Sequence, residues 1–410
     1  MNAIAEHEAL DVAATDRSRP LRIALVSPYD FAYPGGVTNH ITGLSDELRR
    51  RGHHVTIVAP SSRPLDDVEA DNLAIIGRPI PVPTAGSIAR VTLSLTLGKR
   101  VQPLLDRGNF DVIHLHEPMT PTLPLTFLRL ADGPALVGTF HAYAERRRAL
   151  GLSRPLLQRW VQRLDERIAV TEPAREFANR YFPGSYSIIP NGVDTEAFSQ
   201  ADPFPMFQDG RLNILFQGRM EKRKGFPHML RAYAQIRWQF PNCRLLVVGP
   251  GSMDRESARV IGERGLEDVH FIGYASNKDL PRYYRTADIF CSPALGNESM
   301  GIVLIQAMAA GRAVVASDIA GHRSVVDHEH NGLLADPRNE KGFASTLIRL
   351  LQDAELRSTI ANTGSQTVAR YHWGVVAEEI LNVYHSALER RSERISSGLQ
   401  ANPLATRAGS

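Results

Sequence analysis

The 410-residue sequence has little of what would mark several common classes of protein. It holds only two cysteines, Cys243 and Cys291. Each lies inside an apolar, strand-like run (CRLLVVG and DIFCSP), which predicts buried free thiols in a reducing cytoplasm rather than a disulfide scaffold. No CxxC pair or close His/Cys spacing suggests structural zinc. No stretch approaches the roughly 18–20 consecutive apolar residues of a membrane span. Residues 1–20 carry acids early and have no apolar core, so they read as a flexible leader and not as a secretory signal. Net charge is only +3, with 47 Lys and Arg against 44 Asp and Glu, which gives no case for nucleic acid as a partner. Hydrophobic residues make up 43% and charged residues 22%, a balance that excludes wholesale disorder.

What is present is one pattern used twice. The length suits two α/β domains. From Leu21, short apolar runs alternate with helical segments: LRIALVSP, a glycine-bearing loop, the amphipathic TNHITGLSDELRRRG, then HHVTIVAP. DVIHLHEP, ALVGTFHA, RIAVTEP and YSIIPNGV follow, with polar residues collected at their ends. Continuous apolar runs separated by helices predict parallel sheets covered on both faces. Ligands of such sheets bind beyond the carboxyl ends of the strands. Asp30, His114, His116, Glu117, His141 and Asn191 are expected there. The polar, proline-containing stretch 194–211 reads as the domain linker. The pattern then restarts with LNILFQGR, CRLLVVGPG, DVHFIGY, DIFCSP and AVVASDI. The organisation expected is a domain over 21–200, a second over 205–370, a C-terminal helix over 371–391 and a disordered tail over 392–410.

Several segments carry chemistry. GRMEKRKG puts Arg219 and Lys224 in one loop at a strand end, before Gly225 and a helix. Two cations and the free N–H groups of a helix start suit a diphosphate, although a basic loop can also be merely solvated. In ALGNESMGIVLIQAMAAGRAVVASD, Glu298 precedes a helix that opens at Gly301. Ordinary capping explains an acid there, at roughly 0.3–1 kcal/mol, but does not explain the order of loop, acid, helix and strand. Gly251 lies in the turn GPGS, which alone is weak evidence. Ser299, Met300, Gly301, Ile302 and Gln306 are candidates to touch the same ligand. In PGGVTNH, Gly35 and Gly36 precede a helix start and let backbone N–H groups approach a phosphate. The third glycine of a dinucleotide fingerprint is missing, so no NAD is expected. His141 ends a strand. His114 and His116 are expected to point to opposite faces of theirs, and no metal site is expected from them.

Taken together, PGGV, FHAYAE, IPNGVD, GRMEKRKG, VVGPG, FIGY and ESMGIVLIQAMAAGRAVVASD resemble the retaining GT-B glycosyltransferases of family 4, over about residues 21–390. PGGVTNHI, HLHEPMTPTLPL and ESMGIVLIQAMAAG are most similar to the bacterial phosphatidylinositol mannosyltransferases. The resemblance implies two Rossmann-like domains whose parallel sheets face each other across a cleft, with a C-terminal helix crossing back. It implies a hexosyltransferase using a nucleotide-sugar, GDP-mannose or else a UDP-sugar, with no permanently bound cofactor and no required metal. A DxD motif is absent. Arg219 and Lys224 match the cations on the donor diphosphate. Glu298 matches the first acid of an E-x7-E motif on the transferred sugar, and His141 a histidine beside the reacting centre. Gly36 matches the glycine that meets donor phosphate and acceptor, while Asn191 is expected to be structural. The second acid of the motif is replaced by Gln306, which can accept from a ribose hydroxyl without charge assistance. The chemistry implied is same-face attack in which a leaving phosphate oxygen takes the acceptor's proton, so no protein general base is assigned.

The acceptor implied is a lipid or a glycan, which would put the enzyme at the cytoplasmic face of an anionic membrane in cell-envelope glycolipid synthesis. Arg146, Arg147, Arg148, Arg154, Arg159 and Arg163 surround Leu156, Leu157, Trp160, Val161 and Leu164 at helical spacing. The same apolar stripe is what a helix packed on a sheet shows, and the core reading is favoured. A second candidate surface is 86–100. A nucleotide-sugar epimerase and a non-catalytic nucleotide-binding pseudo-transferase are the rival readings. The latter is supported by Gln306 alone.

Overall fold

Strands form where the sequence runs apolar without interruption, and their two faces feed two separate cores. The computed structural model describes residues 17, 19–33, 35–63, 72–84, 87–94, 96–120, 122–144 and 148–397. The leader apart from its last residues, the end of the tail, and Arg146 and Arg147 lie outside the described residues, as does the side chain of Arg148. The chain divides into two compact units. The first comprises Met1–Pro83, Ile88–Gly192 and Val376–Ser410, and the second Thr84–Ser87 and Val193–Val375.

In the first unit the strands are β1 (Arg22–Val26), β2 (His54–Ala59), β3 (Leu73–Ile75), β4 (Ile80–Thr84), β5 (Ser87–Val91), β6 (Val112–His116), β7 (Ala135–Phe140), β8 (Glu166–Ala169) and β9 (Ser187–Ile188). Seven of them make one sheet in the order β3-β2-β1-β6-β7-β8-β9, while β4 and β5 form a separate ribbon. Every pairing given by register in the large sheet is parallel. Ala24, Val26, Ile113 and Leu115 belong to one buried cluster. The alternate positions Ile23, Leu25, His114 and His116 are buried on the other face. The expectation that His114 and His116 point apart is therefore corrected. Residues two apart on a strand share a face, and these two rings stack with centroids 4.3 Å apart.

The second unit carries β10 (Leu212–Gln217), β11 (Cys243–Val248), β12 (Val269–Gly273), β13 (Ile289–Ser292), β14 (Ala313–Ser317) and β15 (Leu333–Ala335). They pair in parallel in the order β12-β11-β10-β13-β14-β15. In β11, Leu245 and Val247 enter one core and Leu246 and Val248 the other. Each such side chain contributes about 1.5–3 kcal/mol when fully buried. Both cysteines are buried free thiols. The stretch 194–211, expected as a linker, instead packs into the second unit through Phe198 and Phe207.

The C-terminal helix, Trp373–Ser396, groups with the first unit from Val376 onward. Its last described turns lie in the segment expected to be a disordered tail. Among the described residues no helix is long and apolar enough to cross a membrane.

Candidate active site

Each sheet reverses its strand order once, and the candidate residues collect at those points. In the second unit the reversal lies between β10 and β13. At such a point the connections leave in opposite directions and open a crevice at the strands' carboxyl ends. The loop after β10 carries Arg219 to Lys224, and the loop after β13 carries Glu298. Gly225 brings the loops together: its φ is +70°, and a Cβ there would meet the Pro293 carbonyl oxygen at 1.9 Å.

Glu298 lies between cations. Lys224 Nζ is 2.8 Å and Arg223 Nη1 2.5 Å from its Oε1. Arg223 Nε also donates to Glu221 at 2.9 Å, and Glu221 pairs with Arg219 at 3.2 Å. The result is a row of alternating charges, Arg219, Glu221, Arg223, Glu298, Lys224, with one net positive charge. Burial works to raise the Glu298 carboxyl, but Lys224 and Arg223 outweigh it and hold it at about 2. Sequence reasoning placed Arg219, Lys224 and Glu298 but missed Glu221 and Arg223. Both stand in the quoted GRMEKRKG segment, where only loop geometry decides which charges pair.

The helix Ile302–Ala309 opens at Gly301, whose φ is +73°. Gly321 packs under the Glu298 loop, where a Cβ would meet the Glu298 carbonyl oxygen at 1.9 Å. His322 lies beside Gly301 and is kept neutral by burial, its pKa lowered to about 4. Gly251, φ +116°, abuts Met220 next to Arg219. Ser299 is half-buried, and Ile302 packs partly into the core. Met300, at 2% exposure, fills the core with its side chain. Gln306 is half-buried, and its Oε1 accepts from the Tyr284 hydroxyl at 3.1 Å.

In the first unit the reversal lies between β1 and β6. The loop after β1 leads to Gly35, which caps the helix Gly36–Arg50 with no acid in its first turn. That leaves a positive helix end open toward an anion. Beyond its chain neighbours and its own helix backbone, no atom of the described residues lies within 4 Å of where a Gly36 Cβ would be. One turn on, His40 lies edge-on to His141, with ring centroids 5.1 Å apart, so the glycine turn and His141 share one end of the sheet. His141 Nε2 is 3.0 Å from His116 Nδ1, and the Asn191 side chain lies beside its ring. Glu117 Oε1 accepts from the backbone N–H groups of His141 and Ala142 at 2.6 and 2.5 Å. Burial keeps all four histidines neutral, with His141 and His114 lowered to about 3 and His40 and His116 well below their ordinary value. The nitrogens of His40, His116 and His141 lie within 4.8 Å of one another, a grouping that could admit a metal ion. His116 and His141 already bond to each other through one ring nitrogen each.

The basic helical segment is mostly core. Trp160, Val161 and Leu164 are buried, and Arg163 is 5% exposed, bonded to Asp132 and to the Arg129 and Ala131 carbonyls. Arg163 is thus withdrawn from the candidate lipid-facing set. Leu156, Arg154 and Arg159 remain exposed. In the second candidate surface Ile88, Leu93, Lys99 and Arg100 are exposed, while Leu97 is buried.

Residues 34–197 match the model of Glycosyltransferase Family 4, and residues 200–367 that of Glycosyl transferases group 1. The phosphatidyl-myo-inositol mannosyltransferase of Mycobacterium leprae is 36% identical over 368 residues, covering 89% of this chain and 97% of that one. The protein of the same name from Propionibacterium freudenreichii subsp. shermanii is 33% identical, covering 89% and 94%. Among solved structures, sucrose-phosphate synthase from Thermosynechococcus elongatus superposes with a TM-score of 0.71 at 22% identity, covering 90% of this chain and 99% of that one. Anabaena HepE in complex with UDP and glucose gives 0.72 at 19%, covering 89% and 100%. The chain belongs to the GT-B glycosyltransferases of family 4, together with the phosphatidyl-myo-inositol mannosyltransferases, and is a hexosyltransferase.

Proposed function

We propose that the enzyme transfers mannose from GDP-mannose, with retention, to phosphatidylinositol or a closely related lipid-linked acceptor at an anionic membrane surface. The observation that carries this reading is the set of relatives named as phosphatidyl-myo-inositol mannosyltransferases, 33–36% identical over 94–97% of their length. The site supports the chemistry. As the glycosidic bond breaks, negative charge grows on the leaving diphosphate. Arg219 and Lys224 are the cations that meet it, and Glu298 orients the hexose hydroxyls. On donor binding Lys224 exchanges its carboxylate contact for phosphate, so Arg223 is left to hold Glu298. His141 stands beside the sugar as a neutral group, and the proton of the acceptor hydroxyl goes to a leaving phosphate oxygen. Preorganised donors of this kind are worth a few kcal/mol each in a water-poor site.

A UDP-sugar donor is the second reading, favoured by the likeness to a fold neighbour in complex with UDP and glucose. Thermal stabilisation by GDP, UDP, GDP-mannose and UDP-glucose separates the two. A nucleotide at 100 times its Kd adds about 2.7 kcal/mol to the native state. A selective shift with GDP, followed by mannosyl transfer to phosphatidylinositol vesicles, is expected. A selective shift with UDP overturns the donor. Arg219→Ala is expected to lower kcat by roughly 100-fold or more with the fold intact; near-normal turnover removes it from the diphosphate site.

A further inference from the structure

We propose that His116 and Asn191 are positioning residues that hold the His141 ring in one orientation, and that the C-terminal helix braces them through Tyr384 and His114. The proposal rests on the reading that His141 touches the transferred hexose. Rotation of an imidazole about its last side-chain torsion is soft, so a ring that must present one edge needs partners. His141 has one at Nε2 in His116, and the Asn191 side chain lies against the ring as a second neighbour. Its backbone is held as well, by Glu117.

His116 is in turn held by stacking. Its ring lies edge to edge with His141, with centroids 5.3 Å apart and planes 28° apart. On its other side is His114, at 4.3 Å and 29°. His114 is fixed at both nitrogens, Nδ1 to the Tyr384 hydroxyl at 2.8 Å and Nε2 to Thr139 Oγ1 at 2.6 Å. His40 closes the side, edge-on to His116 and His141. The column thus begins on the C-terminal helix and ends at His141. Tyr384 is fully buried within the first unit.

The arrangement has a cost that stability alone does not explain. His116 Nε2 is buried with no hydrogen-bond partner among the described residues. An unsatisfied buried polar atom costs about 1–3 kcal/mol. A leucine or phenylalanine at 116 would avoid that cost and lose only the bond to His141. The titratable groups facing His141 are His116, His40, His114 and, through the backbone, Glu117. Protonating any one imidazole would place a charge in a dry site among the others, so the group stays neutral as a unit.

The test uses the full chain, GDP-mannose and phosphatidylinositol vesicles. Wild-type kcat is expected to be flat from about pH 5.5 to 8.5, since a free histidine would titrate near 6.5. His116→Phe keeps the stack on His114 and deletes the bond to His141, and Asn191→Ala removes the neighbour on the other side. Each is expected to lower kcat by roughly 10- to 100-fold with donor KM nearly unchanged. His116→Phe also brings in an acid limb near pH 6–7 as the loosened ring gains water and titrates. Tyr384→Phe gives a several-fold loss of kcat. If His141→Ala is severe while His116→Phe and Asn191→Ala keep wild-type kcat and a flat profile, the proposal falls. If His141→Ala itself is harmless, the underlying reading of His141 fails instead. Should the variants not fold, histidine-ring nitrogen NMR of the wild type decides. A His141 signal unmoved between pH 5.5 and 7.5 supports the lock, and one that titrates overturns it.

Discussion

Gln306 accepts from the buried Tyr284 hydroxyl with its only side-chain oxygen, which leaves its amide N–H groups facing elsewhere. A carboxylate at that position would take the same hydroxyl with one oxygen and offer the other, charged, to a ribose hydroxyl. Charge-assisted hydrogen bonds are about twice as strong as neutral ones. Gln306→Glu is therefore expected to lower the donor KM several-fold and leave kcat within several-fold, measured by initial rates against donor concentration. An unchanged KM would show that position 306 does not touch the nucleoside. At this scale the sequence was readable where a residue type and its strand-end position both point to one chemistry, as for Arg219, Lys224 and Glu298. It was not readable where function depends on contact between distant residues. Nothing in HLHEP states that His40, seventy-odd residues earlier, closes on the same rings. The spacing of His114 and His116 was legible, because period two places them on one face, but it was misread.

At the scale of elements, the apolar runs located β1, β2, β6, β7, β10, β11, β13 and β14 because each is buried on both faces. Leu73–Ile75 and Leu333–Ala335 are three-residue edge strands and too short for any periodicity to show. Tight approaches between loops were also silent, since a glycine in sequence does not say what lies where its Cβ would be. Gly321→Ala tests one such approach. The added methyl would sit 1.9 Å from the Glu298 carbonyl oxygen, so the loop carrying Glu298 must move. A displacement near 1 Å in a catalytic group costs about 100-fold in rate. The expectation is a loss of kcat of that order. Gly262→Ala is the matched control, on the helix Arg255–Arg264, with no atom within 4 Å of the added carbon. It should leave kcat alone and stabilise the protein by about 0.5–1 kcal/mol. Equal activity in the two variants would mean that the Glu298 loop tolerates the shift.

At the scale of the whole molecule, the buried histidines make the two units respond differently to acid. His40, His114, His116 and His141 belong to the first unit, and burial lowers all four pKa values far below 6.5. In the unfolded chain each takes up a proton as pH falls through about 6.5, while in the folded chain His114 and His141 do so only at about 3, and His40 and His116 stay neutral well below 6.5. The unfolded state thus binds more protons over that window, and stability is fully present above about 6.5 and lost progressively below it. Each proton contributes about 1.4 kcal/mol per pH unit, so four approach about 5 kcal/mol per unit near pH 5. His385 adds a smaller effect of the same sign, since its pKa is also lowered by burial. Asp165 and Glu166 oppose it, because burial raises their carboxyls and the folded state protonates them first. Asp46, raised by burial as well, adds to that opposition, but carboxyls start from an ordinary value near 4, so all of it acts at the acid end of the window. In the second unit His322 is the one comparably buried histidine, and Glu298, held at about 2, costs stability only below about pH 4.5. Ordinary domains have only about 5–15 kcal/mol to lose. Between pH 7.5 and 5.5, hydrogen exchange of peptides from β6 and β7, corrected for intrinsic rate, should therefore accelerate far more than that of peptides from β10 and β11. Equal acceleration in both units would mean that the four rings are already protonated in the native state, and the neutral histidine column would have to be abandoned.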